Sequence, residues 1–272
     1  MQVAARREEI RRLLLEHGEV EFGALADRFG VSEMTVRRDL EALESDGVAR
    51  RVRNGAIDVT GRAVEPPFGN RASVARAAKI AMAARAIELV AEDETVVLDS
   101  GTTVLELARL LRRRELALTV LTPSVLAAIE IAAIPGSRVI LTGGTVRPGE
   151  LSLIGPAAEE PFTELNCDVV FLSTAGLDLA HGLTDYNLEE ARVKRAALCS
   201  ARRSVALMDR SKLDRVYLAN VLPLSSLDVL VTDADPAHPV LERAREIGIK
   251  VLTVTVTDSG TDSTGSGGTG PS

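Results

Sequence analysis

The sequence predicts an α/β protein in two parts: a winged helix-turn-helix, then a larger α/β domain on a mostly parallel sheet. Three observations carry this prediction. Three apolar stripes at helical spacing precede a basic hairpin within residues 1–59. Residues 60–73, TGRAVEPPFGNRAS, are non-periodic and rich in proline and glycine, and read as a linker. Across residues 74–256, strand-like runs alternate with helical stretches. That alternation is the pattern of a largely parallel sheet covered by helices on both faces.

The elements follow in order. Ile10, Leu13 and Leu14 mark a first helix that should end before Gly18. Phe22, Leu25, Ala26 and Phe29 repeat the stripe on a short second helix, broken by Gly30. Ser32 is a good N-cap for a third helix with Val36, Leu40 and Leu43 inward, ended by Gly47. In VARRVRNGAIDV, residues 48–59, Asn54-Gly55 lies between two β-prone runs and signals a type I′ hairpin. The later strand-like runs are 95–99, 118–122, 138–142, 168–174, 204–209, 228–233 and 250–256. The tail 257–272 is Gly, Ser and Thr-rich and is expected to be disordered.

Composition narrows the function. At roughly 150 residues per domain, a chain of 272 suggests two. The formal charge is −7, so nucleic-acid binding must come from a local patch. Cys167 and Cys199 form no Cys-x-x-Cys pair, and His17, His181 and His238 have no ligand spacing. Two separate buried thiols are expected, with no metal and no cofactor. There is no apolar signal region and no run near the ~20 residues of a membrane span, so a soluble cytoplasmic protein is expected.

On the third helix Arg38 points nearly opposite the core, flanked by Thr35 and Arg37. A major groove accepts such a helix, and arginine binds guanine bidentately or clamps a phosphate. Two adjacent arginines on their own usually mark a solvated face. Arg50, Arg51 and Arg53 change that reading by concentrating charge beside the Asn54-Gly55 turn, where a wing would touch DNA. Residues 1–57 hold ten Arg and eleven Asp or Glu, so the positive charge is segregated, not in excess.

Arg6, Ile10 and Leu14, then Ser32, Thr35, Val36, Arg37, Arg38, Asp39 and Leu40, resemble the helix-turn-helix signature of the DeoR family of bacterial transcription regulators. Where that family commonly shows Gly-Gly-Ala in the wing, this chain has Asn54-Gly55-Ala56. Asparagine tolerates the left-handed conformation nearly as well as glycine, so the turn is expected to survive.

In the larger part, LDSGTTVLELARLL (98–111) reads as strand, tight loop and helix. Asp99, Ser100, Gly101, Thr102 and Thr103 bring small residues and free amides to a helix N-terminus, which suits an anion. Such residues also serve as ordinary caps. LTGGTVRP (141–148) supplies Gly143, Gly144 and Arg147. GLTDYNLEEARVKR (182–195) supplies Asp185, Glu189 and Lys194, and MDRSKL (208–213) supplies Asp209 and Lys212. Open α/β sheets bind ligands beyond the carboxyl ends of their strands, where such turns could converge.

These segments also resemble the DeoR-type sensor, and the likeness spans residues 6 to about 255. It implies a fold similar to ribose-5-phosphate isomerase, glucosamine-6-phosphate deaminase and coenzyme A transferases. It implies a repressor of carbohydrate-metabolism genes that a phosphorylated sugar or related metabolite releases from double-stranded operator DNA. Ser100 to Thr103 would hold phosphate, with Lys79, Asp209 and Lys212 completing the site. Lys194 matches too, or forms a structural ion pair. LTPS (121–124) departs from the usual Thr-Asn-Ser at Pro123, and STAGLD (173–178) keeps only Asp178 as an acid. One short recognition helix buries too little surface for tight specific binding, so a homo-oligomer, dimer or tetramer, is expected. Two alternatives stand beside this reading. One is a sugar-phosphate isomerase with an appended winged helix, using Asp185 or Glu189 as base. The other is a winged helix that binds protein.

Overall fold

The computed structural model describes residues 2–17, 19–52, 54–58 and 65–256. Gly18, Arg53, residues 60–64 of the expected linker and the tail 257–272 lie outside the described residues.

The N-terminal part runs α1 (Val3–His17), β1 (Glu19–Glu21), α2 (Phe22–Phe29), α3 (Glu33–Ser45), β2 (Ala49–Val52) and β3 (Gly55–Asp58). Its core is a separate cluster of twelve buried apolar residues, among them Ile10, Leu14, Phe22, Val36 and Leu40. Gly30 ends α2 in the left-handed region, with its N–H on the Ala26 carbonyl. Ser32 caps α3, its hydroxyl accepting the Thr35 N–H at 3.3 Å.

Two features differ from the sequence-based expectation. β1 is an extra strand, three residues long, that pairs with β3 to give the order β1-β3-β2. The hairpin register also differs from the expected Asn54-Gly55 turn, because Gly55 pairs with Val52 and so belongs to the strand. Gly55 does not supply a left-handed turn. It sits in β3, where a Cβ would fall 1.9 Å from the Val20 carbonyl oxygen. Close approach of β1 is therefore what requires glycine there.

The larger part begins inside the stretch expected as a linker, with α4 (Phe68–Ser73) set by the preceding Pro67. There follow α5 (Arg76–Ala86), β4 (Thr95–Leu98), α6 (Thr102–Arg113), β5 (Thr119–Thr122), α7 (Val125–Ala132), β6 (Arg138–Leu141), β7 (Thr145–Val146), β8 (Leu153–Ile154), α8 (Pro156–Glu159) and α9 (Pro161–Glu164). After them come β9 (Cys167–Leu172), β10 (Gly176–Asp178), β11 (Gly182–Asp185), α10 (Leu188–Ser200), β12 (Ala201–Leu207), β13 (Ala219–Leu222), β14 (Val229–Thr232), α11 (Pro239–Glu246) and β15 (Lys250–Thr253).

The seven expected strands form one seven-stranded sheet, order β15-β14-β12-β9-β4-β5-β6, with every pairing parallel. Successive residues alternate between its faces. Val96, Leu98, Val169 and Phe171 pack under α5, α6 and α7, while Val97, Val170 and Leu172 pack under α10 and α11. A small antiparallel sheet, β10-β11-β13, joins the second face. From β4 the chain builds outward to β5 and β6, and from β9 it builds the other way. β4 and β9 are neighbours, so the switch in winding direction opens a crevice at their carboxyl ends.

Cys167 is buried, but Cys199 is exposed on the outer face of α10, contrary to the expectation of two buried thiols. Among the described residues, no helix is long and apolar enough to cross a membrane.

Candidate functional site

Two surfaces collect the chemistry. The first is the outward side of α3 and the hairpin. Asp39 is not available to a ligand, because Arg6 and Arg7 hold its two oxygens at 2.6 and 3.0 Å and so tie α1 to α3. Arg37 lies over the Phe22 ring at 3.9 Å, clamping α2 to α3, with Glu33 at 3.7 Å. Ser32 and Thr35 bond each other through their hydroxyls at 3.0 Å. Arg51 is held by Glu44 at 2.7 Å and Glu41 at 2.6 Å. Those two carboxylates raise its pKa although its partial burial opposes the shift. The side chains of Arg38 and Arg50 are exposed and have no hydrogen-bond or ion-pair partner among the described residues. Asn54 is exposed at the turn, whereas Gly55 is buried. Met34, which sequence reasoning passed over, is 60% exposed one helical turn before Arg38. It gives that face an apolar element suited to a thymine methyl.

The second surface is a cavity of about 190 Å³ at the β4/β9 switch point. β4 ends at Leu98, and the chain turns through Asp99, Ser100 and Gly101 into α6. Gly101 has φ +140, a conformation L side chains rarely adopt, while the space beside its Cα is open. The first amides of α6 lack intrahelical partners, and the helix dipole is positive there. Lys79 from α5 and Lys212 after β12 line the same cavity. Burial lowers the Lys79 pKa to about 8, aided by Lys212 and Arg71, with Asp209 opposing. Burial likewise lowers that of Lys212, again against Asp209 and with Arg71 helping. Lys212 donates to the Ser173 hydroxyl at 2.7 Å, and Asp209 caps its own turn by accepting the Ser211 N–H at 3.1 Å.

Lys194, at the cavity floor, is a structural hub. It pairs with Asp99, lies 3.6 Å from Asp185, and donates to the Ser173 carbonyl at 3.1 Å. Burial alone would lower its pKa, but Asp99, Asp185 and Glu190 together hold it raised. Burial raises Asp185 to about 6 even against Lys194. Asp99 is raised by the same cause. Glu190 is held low despite burial by Lys194, Arg147 and the Ser152 hydroxyl, which donates at 2.5 Å. On one wall the rings of Tyr186 and Tyr217 meet with centroids 4.3 Å apart.

Of the residues read from the sequence, Lys79, Ser100, Gly101, Thr102, Asp185, Lys194, Asp209 and Lys212 line the cavity. Asp99 sits behind it, held by Lys194. Thr103 is fully buried outside the lining, and its hydroxyl has no partner among the described residues. Gly143 and Gly144, at φ +90 and +95, shape the turn between β6 and β7. Arg147 reaches the cavity only through Glu65 and Glu190. Asp178 accepts the His181 and Ala180 amides outside it. Glu189 is exposed, and its neighbour Glu190 faces inward instead. Helical phase could have shown this, since Asn187 caps α10 and Glu190 lies one turn before Lys194. Arg71 and Glu150, also in the lining, come from a supposed linker and an unrecognised loop.

The comparisons with known proteins agree along the chain. The DeoR-like helix-turn-helix domain matches residues 6–61, and the DeoR C terminal sensor domain matches residues 74–234. A putative aga operon transcriptional repressor of Escherichia coli O157:H7 is 33% identical over 92% of this chain and 93% of its own. The HTH-type transcriptional regulator GlpR of Haloferax volcanii is 35% identical over 93% of this chain and 98% of its own. Among solved structures, ribose 5-phosphate isomerase A from Methanocaldococcus jannaschii aligns at 18% identity. That alignment covers 50% of this chain and 54% of that one with a TM-score of 0.38, a likeness too distant to bear on activity. With both domains matched and relatives of this identity aligned nearly end to end, the chain belongs to the DeoR family of transcriptional regulators.

Proposed function

We propose that the protein is a cytoplasmic repressor of carbohydrate-metabolism genes. In this reading a phosphorylated sugar entering the β4/β9 cavity lowers its affinity for operator DNA. The observation that carries it is the pairing of Lys79 and Lys212 with the amino end of α6 around one cavity, in a chain with a DNA-binding head. Two buried ammonium groups with depressed pKa values call for an anion, and free helical amides suit phosphate oxygens. At the head, Arg38 reads bases with Met34 beside it, and Arg50 meets phosphate. Arg51 orders the wing from behind, through Glu41 and Glu44. Heads act in pairs, so the working form is a homo-oligomer on repeated half-sites.

The names of the two relatives, one for the aga operon and one GlpR, agree with a regulator of carbohydrate genes. The test is genome-wide footprinting with purified protein, followed by titration of the operator complex with sugar phosphates. Expected are discrete protected sites beside sugar-utilisation genes and release by one phosphorylated sugar. Protection without sequence preference, or a complex indifferent to every sugar phosphate, would overturn the proposal.

The cavity also admits an enzyme reading, since Asp185 at a pKa of about 6 falls in the range of a general base. Its oxygens are engaged by the Tyr186 N–H at 2.9 Å and by Lys194. Binding without turnover is therefore the reading adopted.

A further inference from the structure

The segment leading from the head into α5 forms part of the cavity wall. Glu65, Pro66, Asn70 and Arg71 all line it, beside Ser45 to Val48 of the head. Arg71 is at the centre of this wall. Its guanidinium pairs with Glu65 at 2.9 Å and with Glu150, its Nε donates to the Pro66 carbonyl at 3.0 Å, and it lies 5.7 Å from the Phe68 ring. Its backbone carbonyl accepts from Lys79. The other oxygen of Glu65 is held by Arg147 at 2.8 Å. Pro66 in turn packs against Gly47, the residue that closes the turn after α3. A Cβ on Gly47 would lie 2.8 Å from the proline ring. An unbroken series of contacts thus runs from Lys79 through Arg71 and Pro66 to the end of the recognition helix.

The charges make this wall two-sided. Arg71 stands between the carboxylates of Glu65 and Glu150 and the ammonium groups of Lys79 and Lys212, whose pKa values it helps to depress. With the cavity free of anions, repulsion from the lysines and attraction to the carboxylates act together. An anion beside the lysines reverses the first of these forces. A guanidinium binds phosphate with two parallel donors, so it is the group best suited to change sides.

We propose that Arg71 is a ligand of the effector's anionic group, and that its transfer from Glu65 and Glu150 to that group loosens the segment 65–74 and carries the signal to the head. This rests on the reading of the cavity as an anion sensor. It makes the segment a two-state element that both sites bias, which is the physical content of coupling between them.

The experiment measures two things on the full chain, with inorganic phosphate and ribose 5-phosphate as probes. Calorimetry gives probe affinity, and hydrogen exchange reports on residues 45–48 and 65–74. In the wild type, a bound probe should speed exchange in both segments. Arg71→Gln should exchange fast there without probe, show no further change, and bind probe about tenfold or more weakly. Glu150→Gln should bind probe several-fold more tightly, because the competing carboxylate is gone. A merely structural arginine would loosen the segment without lowering affinity. The proposal fails if probe binds the wild type and exchange at 65–74 is unchanged, or if Arg71→Gln binds as tightly. Should Arg71→Gln not fold, Glu150→Gln decides alone, and unchanged affinity there overturns the proposal. If neither probe binds the wild type, the anion-sensor reading fails and takes this proposal with it.

Discussion

In the proposed reading, Lys79 should make anion binding depend on pH in a way that can be worked out from the site. Its pKa is lowered to about 8, first by burial and then by Lys212 and Arg71. An anion beside it opposes all of these causes and draws the pKa back up. Binding therefore takes up a proton wherever the free protein has lost one. Well below pH 8 the lysine is already charged and contributes no pH dependence. Above it, the apparent dissociation constant should rise about twofold at pH 8 and about tenfold at pH 9, following the fraction still protonated. A phosphate monoester loses its second charge below about pH 6, so affinity should also fall on that side. The optimum then lies between about pH 6 and pH 8. Folding gives a matching sign. The ordinary value is 10.5, so ligand-free protein should gain stability as pH rises from about 8 towards 10.5. Bound anion should remove that gain. Titration calorimetry with ribose 5-phosphate at half-unit steps, in two buffers of different ionisation enthalpy, reads both affinity and proton uptake. Lys79→Met should bind more weakly and lose the alkaline limb. A wild-type affinity that stays flat from pH 7 to 9 would refute the assignment of Lys79 to the anion.

Four further outcomes are expected. Arg38→Ala should cost ~1–3 kcal/mol of operator affinity and relax base preference, while Arg50→Ala should lower the salt slope by about 0.9 for every sequence. Footprints and salt titrations of the two variants separate these roles. Gly101→Ala puts a side chain at φ +140 and should weaken sugar-phosphate binding by ~1–3 kcal/mol, while circular dichroism stays that of the folded protein. Leu40→Ala, in the small separate core of the head, should cost ~2–5 kcal/mol and give a low-temperature transition distinct from that of the larger domain by calorimetry. Sugar phosphates incubated with the protein in D2O should gain no deuterium beside their carbonyl by NMR. Incorporation that Asp185→Asn abolishes would establish the enzyme reading instead.

The sheet was legible because each of its seven strands is a short aliphatic run bounded by polar turns, and burial on both faces leaves no other use for such runs. The three helices of the head were legible through their stripes and the cap at Ser32. What escaped has physical reasons. β1, Glu-Val-Glu, is three residues long and carries no apolar run, so only its pairing with β3 makes it a strand. The hairpin register was missed because Asn54-Gly55 was read for its local conformation, whereas Gly55 serves a tertiary contact with Val20. In the site, Ser100 to Thr102 and Lys212 were marked by local turn chemistry. Arg71 and Glu150 were not, because their pairing joins residues 79 positions apart. No local pattern encodes such a pairing. A proline-rich stretch also looks like a tether whether or not its side chains are anchored.

The distribution of compensated charge argues for binding over turnover in this cavity. Proton abstraction needs a carboxylate placed against the substrate's proton and not committed to the wall. Asp99 is occupied by Lys194 and the Ser173 N–H, and Glu190 by Ser152 and Arg147. Asp209 is occupied by Ser211, and Asp185 by Tyr186 and Lys194. Each of these four acids thus braces the wall, Asp185 through both oxygens and the other three through one oxygen each. The cations are arranged the other way. Lys212 donates to a neutral hydroxyl and Lys79 to a backbone carbonyl, so neither is paired with a carboxylate in direct contact. Acids that brace the wall and under-compensated bases support the proposed reading, in which the cavity holds an anion. Its wall points the same way. An enzyme gains nothing by building that wall from the segment next to a recognition helix. A regulator does, because a ligand that alters the Arg71 contacts then shifts the balance of Pro66 against Gly47 at the end of α3.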